Sequence, residues 1–96
     1  MKVKNMTSAR GNKIANQFII DDGNRVTFQS YDSEIVTLDY DAKKITVGID
    51  YDYSMTTGKY RNLFMADYIG GMDNLKDFNK ALKNGFYNSW EVVKAW

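Results

Sequence analysis

From Lys44 to Tyr53 the chain reads KITVGIDYDY, and an apolar or aromatic residue falls at every second position. Successive side chains of a strand point to opposite faces, so Ile45, Val47, Ile49, Tyr51 and Tyr53 would share one side. Lys44, Thr46, Gly48, Asp50 and Asp52 would share the other. The run therefore predicts a half-buried antiparallel strand, apolar inward, with Asp50 and Asp52 on its wet face.

Earlier segments repeat the pattern. In NQFIIDDGNRVTFQSY two β-rich runs flank Asp22-Gly23, a hairpin signal because Asp-Gly tolerates the positive φ of tight turns. Val26 and Phe28 then share one face, with Arg25, Thr27 and Gln29 opposite. Asp32-Ser33 offers a second turn, followed by EIVTLDY; the DAKK segment leads into the alternating run.

After Tyr53 the period changes. Ser54, Thr56 and Thr57 are candidate N-caps, and Tyr60, Leu63, Phe64 and Tyr68 recur at helical spacing. Gly70-Gly71 suits a helix end. Asp73 or Asn74 can cap a second helix with Leu75, Phe78, Ala81 and Leu82 on one stripe, closed by Asn84-Gly85. At the end, Ser89 can cap a last helical turn through Trp90, Val93 and Trp96, the alternative being a strand through Trp90, Val92 and Lys94. The fold class predicted is α+β: a four-stranded antiparallel β-meander followed by two or three short helices packed on one face. One domain is expected over residues 1–96, with 1–12 mobile, 16–53 the meander and 55–96 the helical part.

Composition narrows the chemistry. The 96 residues contain no cysteine and no histidine, which removes thiolate nucleophiles, the commonest general base and the commonest metal ligand. The opening MKVKNMTSARGNK is polar and basic, so no secretory leader is expected. No stretch has the length of a membrane-spanning helix, and a cytoplasmic location is expected. Net charge is +1, yet it is unevenly placed. Residues 1–15 are purely basic, 16–53 are mainly acidic, and 54–96 are mildly basic, which describes a dipolar surface.

Candidate sites follow from that distribution. Asp50 and Asp52 could share a hard cation, although alternation alone already places them outward. Asp22 with Asp41-Ala42-Lys43 resembles a nuclease pattern, but in a predicted turn. Ser8 and Ser54 have no histidine to activate them. Tyr31, Tyr51, Tyr53 and Tyr60 with Lys59 and Arg61 could stack on and neutralise nucleic acid. Asp50 and Asp52, with Glu34 and Asp39, could instead dock on a basic protein groove. Arg10, Asn12, Lys13, Asn16 and Gln17 are polar without an evident packing duty, and Lys59, Arg61 and Asn62 face away from the Tyr60–Leu63–Phe64 stripe. These two polar groups are expected to meet and form the functional surface. No catalytic residue, metal or cofactor is expected.

Three blocks, SARGNKIANQFII, FQSYDS and YDYSMTTGKYRNLF, resemble a family of small uncharacterised proteins of phages and mobile elements in Gram-positive bacteria. The likeness spans Ser8 to Phe64 and leaves Met65 onward outside it. Some resembling proteins are anti-CRISPR candidates. The resemblance implies a non-catalytic accessory protein that inhibits a host defence protein, such as a Cas effector, in the bacterial cytoplasm. A small nucleic-acid-binding module is the alternative.

Overall fold

The computed structural model describes residues 1–8 and 10–96; Ala9, part of the SARGNK block and of the expected mobile start, lies outside the described residues. Along the chain the elements are β1 (Lys2–Thr7), β2 (Lys13–Asp21), β3 (Arg25–Ser30), β4 (Ser33–Asp39) and β5 (Lys44–Val47). Then come α1 (Met55–Tyr68), α2 (Leu75–Asn84), β6 (Phe86–Tyr87) and β7 (Trp90–Lys94). The strands form one sheet in the order β1-β2-β3-β4-β5-β7-β6. Neighbours are antiparallel except β5 and β7, which run parallel. The class is α+β as expected, but the sheet has seven strands rather than four.

Period-two alternation builds the core. Residues directly opposite in a ladder share a face. Val26 faces Leu38 and Phe28 faces Val36; Leu38 and Val36 then face Ile45 and Val47, and Ile45 faces Val92. These seven side chains make one apolar plate, each no more than 4% exposed. A bulge in β4 makes Ile35 the extra residue opposite the Phe28–Gln29 step, and it too is buried. The helices cover this plate. Phe64 stacks on Phe28 with ring centroids 5.8 Å apart, and Met65, Met72, Phe78 and Ala81 complete the layer. Each fully buried side chain of this size contributes about 1.5–3 kcal/mol.

The opposite face is polar across β3, β4 and β5, flanked by Ile20 of β2 and Val93 of β7. Thr27, Thr37 and Thr46 form a row across three strands, with the Thr27 and Thr37 hydroxyls 3.0 Å apart. Beside it Arg25, Asp39, Lys44 and Glu91 alternate in charge. Arg25 pairs with Asp39 at 3.3 Å and Lys44 with Glu91 at 3.9 Å. The Asp39 carboxyl lies below its ordinary value, first through the Ala42 N–H and then through Arg25.

Turn chemistry sets the connections. At the β2–β3 hairpin the Asp22 N–H donates to the Arg25 carbonyl at 2.8 Å, and Gly23 takes φ 83°. Ser54 and Asn74 cap the two helices through side-chain oxygens that accept from Thr57 N–H and Asp77 N–H. Gly85 ends α2 in the left-handed region, where glycine carries no Cβ penalty.

Four expectations are corrected. Residues 2–7, expected as mobile, form edge strand β1, fixed by pairing with β2 and by the buried Met6. The strand expected to reach Tyr53 stops at Val47; beyond it Ile49 and Tyr53 are 68% and 76% exposed, and only Tyr51 packs inward. The C-terminal segment is strand rather than helix, because β7 completes the open edge of β5 and buries Val92. Lastly, α1 buries Thr57, Gly58, Arg61, Phe64 and Met65, while Leu63 is exposed. The inward stripe is thus rotated from the one the apolar residues alone suggest.

Candidate protein-binding site

One end of the molecule gathers the β3–β4 turn, the Gly48–Ser54 connection and the start of α1. The connection turns away from the sheet at Gly48, whose N–H donates to the Ile35 carbonyl at 2.8 Å. A Cβ there would run into the Glu34 carbonyl oxygen, so only glycine permits this approach of two backbones. Two turns follow, with Tyr51 N–H donating to Gly48 O and Tyr53 N–H to Asp50 O, both at 3.1 Å.

A buried arginine holds the connection in place. Arg61, 1% exposed, donates from Nη1 to the Tyr51 carbonyl at 2.8 Å and from Nη2 to the Asn62 side-chain oxygen at 2.8 Å. Asp52 lies 3.6 Å from Nη1. The guanidinium rests over the Phe78 ring, 5.0 Å from its centroid, and Tyr51 stacks on the same ring and on Trp96. Burial lowers the Arg61 pKa, while Asp52 acts the other way. An arginine stays protonated throughout the physiological range.

Between the turn and the helix start lies a cleft of about 620 Å³. Its walls carry the hydroxyls of Ser30, Ser33, Ser54, Thr56 and Thr57, the rings of Tyr31 and Tyr53, and the carboxylates of Asp32 and Asp50. The walls are tied together. Ser30 and Thr57 hydroxyls are 3.0 Å apart, Ser54 Oγ accepts from Thr57 N–H at 3.1 Å, and Ser33 donates to Asp50 at 2.8 Å. The rim is open: Tyr31 is 52% exposed and Tyr53 76%, and the adjacent Ile49 and Met55 are also exposed. A preformed cleft of mixed polar and apolar lining, with aromatic and aliphatic side chains at its mouth, suits recognition of another surface.

The residues singled out from sequence are dispersed. Asp50 lines the cleft, and Asp52 sits beside it against Arg61. Arg10, Asn12 and Lys13 are exposed at the β1–β2 connection, where Ser8 Oγ accepts from the N–H groups of Arg10 and Asn12. Asn16 is exposed with φ 64°, and its carbonyl accepts from Tyr31 N–H at 2.7 Å. Gln17 points into the core, fully buried. Lys59 is exposed and lies over the Tyr60 ring, and Asn62 is half-buried as an acceptor for Arg61. Arg61 was expected on the surface; its donors are engaged by its own loop and helix instead. Its long stem and planar head let it replace an apolar residue on the inward stripe, which polarity patterns do not register. Ser30 and Ser33 enter the sequence reading only through the FQSYDS block and the Asp32-Ser33 turn, not as site residues.

Fold and site together define a small α+β domain, with helices on one face of a mostly antiparallel sheet and a hydroxyl-lined, aromatic-rimmed cleft at one end. The chain belongs to a family of unknown function, DUF8033, whose model matches residues 1–81. The match continues past Phe64 through α1 and most of α2, so more of the chain is shared than the three sequence blocks. No curated protein and no solved structure matches the chain. Among the described residues no helix is long and apolar enough to cross a membrane.

Proposed function

We propose that the chain acts by non-catalytic binding, as a phage-type accessory protein that inhibits a bacterial defence nuclease of the anti-CRISPR-target kind. The phage association and the nuclease target rest on the resemblance of the three sequence blocks. The observation that carries the binding reading is the concentration of exposed Tyr31, Ile49, Tyr53 and Met55 around Asp32 and Asp50 at one end. Tyrosines contribute contact area at low entropic cost and recur among interface hot spots. The carboxylates favour a basic partner surface, of the sort a nuclease presents to its nucleic acid. They disfavour phosphate at the same place, which sets the nucleic-acid alternative behind. A chain without histidine or cysteine also lacks the usual means of proton transfer and nucleophilic attack.

The test is capture from host lysate by the tagged protein, with and without nuclease treatment, in parallel with Tyr31→Ala and Tyr53→Ala. The expected result is a protein partner retained after nuclease treatment, and whose purified cleavage activity the chain suppresses. Each tyrosine substitution should weaken capture by about tenfold or more. Capture lost on nuclease treatment, or indifferent to both substitutions, overturns the proposal.

A further inference from the structure

We propose that the cleft between the β3–β4 turn and the start of α1 is a receptor for one arginine side chain of the partner, a reading that rests on the protein-binding function above. Two carboxylates, Asp32 and Asp50, line this cleft. Among the described residues the ion pairs join Arg25 to Asp39, Lys44 to Glu91 and Arg61 to Asp52. None uses Asp32 or Asp50, so among the described residues the two aspartates lining this cleft have no ion-pair partner. Asp50 accepts one hydrogen bond, from Ser33, which leaves most of its acceptor capacity.

Charge, shape and wall chemistry then select the occupant. The start of α1 contributes about half a positive charge from its helix dipole. Two of its N–H groups are already used, Thr57's by the Ser54 hydroxyl and Gly58's by the Ser54 carbonyl. Against two carboxylates that half charge loses, so the cleft takes a cation and rejects a phosphate. A planar guanidinium fits better than an ammonium. It can lie against the exposed faces of Tyr31 and Tyr53 and still present its fork of donors to a carboxylate and to hydroxyl oxygens. One guanidinium would fill only part of a cleft of about 620 Å³, whose two walls are tied by the contact between the Ser30 and Thr57 hydroxyls.

The experiment is an amide-shift titration of the intact protein with N-acetyl-arginine-methylamide, beside the citrulline and lysine analogues. Citrulline has the same shape without the charge. Saturating shifts are expected in the millimolar range at the amides of Tyr31, Asp32, Asp50, Ser54 and Thr56, with citrulline weaker by about tenfold, the loss of one charge-assisted contact. Asp32→Asn, at an exposed position, should weaken arginine by a similar factor, keep the rest of the spectrum unchanged and leave citrulline binding as it was. Shifts that never saturate, lie elsewhere, or are equal for arginine and citrulline overturn the inference, as does lysine binding more tightly than arginine. A null titration alongside intact partner capture removes the arginine receptor alone. Saturation at the cleft without capture of any nuclease leaves the receptor standing and removes the inhibitor reading.

Discussion

Gln17 brings a side-chain donor and an acceptor into the core, where it is fully buried and neither its Nε2 nor its Oε1 has a partner among the described residues. A buried polar group without a partner costs about 1–3 kcal/mol. Gln17→Met keeps the length and removes the amide, so stability should rise by roughly 1 kcal/mol and the melting temperature by about 4–8 °C. A thermal melt checks this, and a fall in melting temperature would show that the amide is held after all. Arg61 is the counterexample at equal burial. It has a carbonyl, an amide oxygen, a carboxylate and an aromatic face within reach, so its burial anchors a loop instead of straining the core. Sequence grouped Gln17 and Arg61 as surface residues because both are polar; what separates them is the set of partners, and that set comes from segments far apart in the chain.

At the level of elements, ends and turns were legible where the decisive contact is local. Ser54, Asn74 and Gly85 lie within a turn of the groups they cap, and hydrogen bonds of that range are written in neighbouring residues. The end of β5 was not legible, because alternation continues through Tyr53 whereas the chain leaves the sheet at Gly48. Two glycines allow a quantitative test. A Cβ at Gly48 would meet the backbone of β4 at Glu34, which cannot move without breaking the ladder. At Gly71 it would meet the hydroxyl end of Tyr87, a side chain with rotatable bonds. Gly48→Ala should therefore cost on the order of 3 kcal/mol and Gly71→Ala roughly 1 kcal/mol. Urea midpoints compare them, and equal losses would show that the approach at Gly48 is not tight.

For the whole molecule the decisive step is the return of the C-terminus. β7 enters beside β5 in parallel, places Val92 opposite Ile45 and carries β6 as the new edge. Residues 82–96 lie beyond the segment the family model matches, yet here they complete the sheet. Removing residues 85–96 would expose the β5 edge and part of the Ile45–Val47 plate, and forfeit Val92 and the half-buried Trp90. With about 1.5–3 kcal/mol for each well-buried apolar side chain and a total of about 5–15 kcal/mol for a domain of ordinary stability, the truncated chain should lose its cooperative melt. Near-ultraviolet circular dichroism during heating is the measurement. A sharp transition near that of the full chain would show that the last two strands are dispensable.

The amino-acid sequence determined what depends on near neighbours: the apolar faces of Val26 and Phe28 and of Ile45 and Val47, the β2–β3 turn, both helices with their caps, and a chemistry without imidazole or thiol. Tertiary structure decided where β5 stops, which side of α1 turns inward, how β7 pairs, and that Tyr31, Asp50 and Ser54 border one cleft. The physical reason is separation along the chain. A parallel ladder, a guanidinium laid on a distant ring, and a glycine under another strand's carbonyl have energies set by residues tens of positions away, which no local period encodes.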